Sequence, residues 1–292
     1  MKDLFISLLL FIQAVCTYSQ GDEIKKVHLL NDSISRGNTF IPNPYRNKLL
    51  SQYFDISQTD FSKEFLALQT KRISETAFEV TDSIKDYFFD TSTLFCTGEF
   101  EQNGILGLNN QRIKIHIEEV FRDGNSFTFS VKGKSNVDNN ICDFIGKIRI
   151  LSIYKFMSDR LYAEQGMMYA SYEFFEDKGQ AHAGVFRGYF EAMIRIKNEE
   201  KPIELDERLI RSFLYSNRTF VGIWTDYNKG LSQRCIWGDY RLPFTFDFDC
   251  GDKVMTACEK YIENGWRTYS DGSEYDCSGK TCSLKNKWWK NK

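Results

Sequence analysis

From Thr93 onward, apolar and polar residues swap places at nearly every step. Ile113, Ile115 and Ile117 are interleaved with Arg112, Lys114, His116 and Glu118. After the turn signal Arg122-Asp123-Gly124-Asn125, Phe127, Phe129 and Val131 are interleaved with Ser126, Thr128, Ser130 and Lys132. A period of two with a turn between the runs predicts an antiparallel hairpin with one buried face. The phase slips at Glu118-Glu119-Val120, where a β-bulge would restore register. Ile145 to Phe156 is apolar nearly throughout, which predicts a strand covered on both sides. Phe186 to Lys197 is the longest alternating run, and Met167 to Phe175 is its expected mate through Glu176–Gln180. Thr219–Tyr227 turns at Asn228-Lys229-Gly230 and returns through Leu231–Leu242, and Phe244, Phe246 and Phe248 alternate with Thr245, Asp247 and Asp249.

The region before Thr93 is different. Phe61, Phe65, Leu68, Ile73, Ala77, Val80, Ile84 and Tyr87 recur at steps of three to five, with Lys63, Glu64, Lys71, Arg72, Glu75, Glu79 and Lys85 between them. That spacing predicts an amphipathic helix, capped by Ser57 or Thr59 and docked on a core. Successive hairpins with short turns predict an antiparallel meander, mainly β, whose apolar face is buried by closure into a barrel; a β-sandwich is the alternative. Paired Gly and aromatic residues, as in Gly184-Val185-Phe186-Arg187-Gly188, suit strands in which a ring lies over bare backbone. The chain thus divides into residues 1–19, a loop and helical segment 20–91, an antiparallel β region 92–249 and a cysteine-rich appendage 250–292.

The first of these reads as a signal peptide. Lys2 precedes the run Leu4–Ile12, too short for a span of about 20 apolar residues, and Thr17 and Ser19 supply small side chains for cleavage after Ser19. The expected location is secreted or periplasmic, with a soluble mature chain. Seven cysteines then remain, and export makes disulfides their default fate. Cys277 and Cys282 can close a small loop, and Cys250 and Cys258 can clip a hairpin. A zinc site on those four is the alternative, but their spacing is not that of paired C-x-x-C and no histidine is near. The odd count leaves at least one thiol free or paired with another chain.

The net charge is −2 and charged residues make up 27% of the chain, which excludes a protein relying on overall basicity to hold nucleic acid. Leu29-Leu30-Asn31-Asp32-Ser33 resembles the Gly-Asp-Ser block of the SGNH hydrolases over a few residues. That chemistry needs an Asp-x-x-His element, and none of His28, His116 and His182 has Asp at i−3. Gly222-Ile223-Trp224 and Thr225-Asp226-Tyr227 resemble lipocalin motifs, contiguous here where lipocalins hold them far apart. No His-x-x-x-His pair, phosphate loop or dinucleotide fingerprint occurs, so neither metal nor cofactor is expected. His116, in the polar phase of its strand, is expected to be solvated.

Two clusters are candidates for a site. Trp224, Asp226, Tyr227, Trp237, Asp239, Tyr240 and Arg241 mix aromatic faces with charged groups, as sites for glycans or small amphipathic molecules do. Asp247 and Asp249, two apart on an expected strand, would stand about 7 Å apart on one face, a spacing suited to a glycan-acting hydrolase. The C-terminal tail, with Lys280, Lys285, Lys287, Lys290 and Lys292 around Trp288 and Trp289, has a composition suited to an anionic surface. The expected function is an exported, non-catalytic binding or interaction protein for a glycan or small amphipathic ligand; the alternative is the hydrolase.

Overall fold

A computed structural model describes residues 55, 57–73, 77–157, 164–197, 202–207, 216–251, 254–279 and 282–290. The leader region, the Asn31–Gly37 segment and His28 lie outside these. Eight long strands run up and down: β2 (Gln102–Leu106), β3 (Gln111–Arg122), β4 (Thr128–Val137), β5 (Asn140–Phe156), β6 (Gln165–Glu176), β7 (Gly184–Arg195), β9 (Ser216–Asp226) and β10 (Ser232–Tyr240). Each pairs antiparallel with its successor, and β10 returns to β2 through Cys235↔Leu106 and Trp237↔Gly104. The meander therefore closes into an eight-stranded barrel and leaves no free edge among these strands. Short β1 (Ala77–Glu79) and β8 (Glu204–Leu205) attach to β5 and β7. The expected bulge is present as a register shift between Ile117 and Glu119.

Eight strands enclose a bore just wide enough for side chains to fill. Here aromatics fill it: Phe220 stacks on Trp237 at 4.8 Å, Phe144 on Phe174 at 5.0 Å, and Tyr172 meets Trp237 edge-on at 5.2 Å. Inward-facing glycines make that possible. A Cβ on Gly146 would lie 2.1 Å from the Glu173 carbonyl, and one on Gly222 2.0 Å from the Arg187 carbonyl. Bare backbone at these crossings lets neighbouring strands and rings approach. The inward face of the wall is apolar, unlike the polar lumen of a membrane barrel. Among the described residues no helix is long and apolar enough to cross a membrane.

The outer wall is covered unevenly. Helix α1 (Ser62–Ile73) brings Phe61 and Phe65 onto Ile105, Val221 and Ile236, together with Phe244, Phe246, Phe248 and Trp266 from the chain after β10. Phe61 stacks on Phe244 at 4.9 Å. Ile73 and Ala77 reach Met167, Tyr169 and Met193 on the outside of β6 and β7. The C-terminal tail adds Leu284, Trp288 and Trp289. Disulfides Cys250–Cys258 and Cys277–Cys282, with Cα atoms 5.1 and 4.1 Å apart, pin the two loops of this appendage.

Three local expectations are corrected. The helical period does not run to Tyr87: α1 ends at Ile73, Ala77 begins a strand, and Asp60, rather than Ser57 or Thr59, accepts from the first helical N–H at 2.8 Å. Phe244, Phe246 and Phe248 do not form a strand. Phe244 and Phe246 have φ of 51° and 48°, so the chain turns at each and all three rings enter one apolar cluster. Finally, β5 is open on its outer side, where Ile145 is 67% exposed and Leu151 41%.

Candidate functional site

The structure divides the sequence-predicted cluster among four surroundings. Trp237 is fully buried in the bore. Trp224 closes one end of it, donating Nε1–H to Glu176 Oε2 at 2.8 Å over bare Gly184, while Tyr227 donates to the Glu176 carbonyl at 3.2 Å. Burial holds the Glu176 carboxyl above its ordinary value, against hydrogen bonds from Ser135, Trp224 and Gly184. Asp226 Oδ1 accepts from the Asn228 and Lys229 N–H groups at 2.7 Å and so shapes the β9–β10 turn. At the other end Asp239 pairs with Arg218 at 2.6 Å and accepts from Gln102 at 2.9 Å; Tyr240 points outward beside it. Arg241 lies elsewhere, buried on Asp249 at 2.6 Å. The seven side chains do not converge on one surface, because β9 and β10 carry them to opposite ends and opposite faces of the barrel.

Asp247 and Asp249 likewise part company. Asp249, 3% exposed, is occupied by Arg241 and by the Gly251 and Thr256 N–H groups at 3.0 Å. Asp247 stands at the surface, where it binds Lys260 and accepts from Tyr261 at 2.8 Å. The turns at Phe244 and Phe246 remove the strand geometry that would have aligned the two. Among the described residues no group of three or more His, Cys, Asp or Glu side chains is placed to hold a metal. Cys96, Cys142 and Cys235 are free thiols; Cys142 and Cys235 are buried, and burial pushes Cys142 up to about 11.

The tail is also not a loose basic strand. Trp288 and Trp289 are each 5% exposed. Trp288 donates to Glu101, Trp289 stacks on His116 at 4.1 Å, and Lys287 and Lys290 both pair with Glu99. His116 is thus 4% exposed rather than solvated, because the tail covers the polar phase of β3.

Part of the outer wall of β4 to β7 stays open beside α1, and there the structure holds a groove of about 910 Å³. Its shape follows from the register. Arg149 on β5 stands opposite Ser171 on β6, which stands opposite Tyr189 on β7, so a short side chain lies between two long ones and leaves a trough. Ser130 beside Lys147 does the same between β4 and β5. Ile145 and Phe175 face one another across β5 and β6, with Ile223 on β9 at the far side. The start of α1, which packs on β7 and β9, raises that bank with Asp60, Ser62 and Lys63. The Arg187 guanidinium pairs with Glu173 and lies 5.7 Å from the Phe175 ring centre. Apolar faces, hydroxyls and charges thus share one open cleft.

The sequence does not reveal these groups as neighbours: Lys147 and Arg149 lie within the run Ile145–Phe156, whose apolar character predicts a strand covered on both sides, and cross-strand register is not written in any single strand. A second cleft of about 710 Å³, at the end of the barrel near Cys96 and Arg218, is bounded largely by groups engaged with each other, such as Arg195–Glu204 at 3.0 Å. Compared with known families, characterised proteins and solved structures, the chain matches none.

Proposed function

We propose that this chain is an exported binding protein that holds a glycan along the outer groove of β4 to β7. The observation that supports this reading is the groove itself: Phe175 and Tyr189 offer faces to the C–H patches of a sugar ring, while Ser171, Glu173 and Arg187 stand within the same trough to fix hydroxyls. The bore, filled by stacked aromatics, leaves the outer wall as the place where a ligand docks without repacking the core. Disulfides Cys250–Cys258 and Cys277–Cys282 fit an oxidising compartment and so support export, in line with the leader read in residues 1–19.

The test is an oligosaccharide array probed with the purified protein. Phe175→Ser and Tyr189→Ser together are expected to weaken binding at least tenfold, about 1.4 kcal/mol or more. Tyr227→Phe, in the cluster singled out from sequence, is expected to leave it unchanged. A folded double variant that binds as well as the parent would remove the groove from the account.

A further inference from the structure

We infer that the groove selects an acidic oligosaccharide, one bearing carboxylate or sulfate groups, over a neutral one. This rests on the glycan reading above and sharpens it to a ligand class. Four cations, Lys63, Lys147, Arg149 and Arg187, line the cleft against two carboxylates, Asp60 and Glu173, although the chain as a whole carries a net charge of −2. Both carboxylates are already engaged: Glu173 pairs with Arg187, and Asp60 accepts from the Ser62 N–H at the start of α1. Lys147 pairs with Asp123 at 3.2 Å, both partly exposed to solvent. Lys63 and Arg149 have no carboxylate partner among the described residues, and they stand on opposite banks.

The spacing of those two cations follows from the sheet. Arg149 rises from β5, and Lys63 from the helix start seated over β7 and β9. Strands lie about 4.8 Å apart, so β5 and β7 alone separate the banks by roughly 10 Å. A ligand anchored at both carries anionic groups along its length rather than at one end. Ser171 on β6 lies between them, and Ser130 on β4 continues the trough beyond Arg149; both supply hydroxyls for a polyhydroxylated backbone. An acyl chain would leave those groups without partners.

Calorimetric titration of the full purified protein with three probes of matched length decides this: an oligogalacturonate, a heparin-derived sulfated oligosaccharide and a neutral malto-oligosaccharide. Either or both acidic probes are expected to bind at least tenfold more tightly than the neutral one, with affinity falling as salt rises. Which of the two binds assigns carboxylate or sulfate as the anionic group. Lys63→Gln with Arg149→Gln, both at exposed positions, is expected to cost the acidic probe at least fivefold and to narrow its margin over the neutral one. Equal affinity for neutral and acidic probes, or an indifferent double variant, overturns the selectivity while sparing the glycan reading. Failure of every saccharide to bind overturns both.

Discussion

Arg112→Met is expected to cost about 3 kcal/mol or more in folding stability and to loosen the C-terminal appendage from the barrel. The guanidinium, with a side chain 2% exposed, is the hub of that contact. It donates to Asn103 Oδ1 from Nε at 2.8 Å, to Glu274 from both terminal nitrogens at 2.8 and 2.7 Å, and to Glu101 at 3.2 Å. Trp266 and Tyr269 lie 5.5 and 5.2 Å from its carbon, so aromatic faces flank the plane. Removing one partner of a buried ion pair strands the other, and that loss exceeds what the pair itself contributes. Of the two carboxylates it serves, Glu101 is the more buried, its side chain 1% exposed, and without Arg112 it keeps only Lys114 at 3.3 Å as a cationic partner among the described residues. Burial raises its carboxyl above the ordinary value even with Lys114 and Arg112 beside it.

Glu274 behaves oppositely. Burial pushes it up as well, but the hydrogen bonds and charge of Arg112, the charge of Lys114 and the Thr268 hydroxyl together leave it below its usual value. Urea unfolding of Arg112→Met, Glu274→Gln and the double variant measures the coupling. Additive losses would show that the contact is ornamental.

The stability of the chain is expected to fall by about 3 kcal/mol between pH 6.5 and pH 4 through His116 alone. Burial pushes its imidazole down to about 4, with Lys134 and Lys290 adding to the shift and the Phe100 carbonyl and Glu99 opposing it. A carbonyl only accepts, so Nδ1 carries the hydrogen, donated to Phe100 at 2.9 Å, and the ring is neutral when folded. The unfolded chain takes up its proton near pH 6.5, the folded chain only near 4. The contribution is therefore whole above pH 6.5 and is lost as pH falls to 4, a difference of 2.5 units at about 1.36 kcal/mol each. Carboxylates titrate in the same window, so the comparison is with His116→Phe. This variant keeps a ring against Trp289 but loses the bond to Phe100, so it is expected to be less stable at pH 7 and to lose that much less on acidification. Parallel stability curves for the two proteins would contradict the assignment.

Arg112 and His116 also show where sequence reasoning stopped short. The alternation of Ile113, Ile115 and Ile117 with Arg112, Lys114 and His116 separates the inner face of β3 from the outer one. It does not say that the outer face is wet. The tail and the Trp266 segment come back over β3 from more than 140 residues away and bury Arg112 and His116 to 3% and 4% exposure. Strand β2 escaped notice because Gln102-Asn103-Gly104 has no apolar alternation; its polar side chains serve Asp239 and Arg112 instead. Phe244, Phe246 and Phe248 mimicked a strand because turns with left-handed residues also return every second side chain to one cluster. The barrel was legible because its pattern is local. The groove was not, because Ser171 becomes a trough only once Arg149 and Tyr189 lie on either side of it.

The proposal that ligand meets this protein on the outer wall, with the bore already full, is tested most directly by hydrogen–deuterium exchange of the chain with and without a saturating oligosaccharide. The account predicts slowed exchange in peptides covering residues 60–66, 145–149, 171–175 and 187–189, and no change between 224 and 241. Protection confined to residues 224–241, with the groove peptides unmoved, would contradict it.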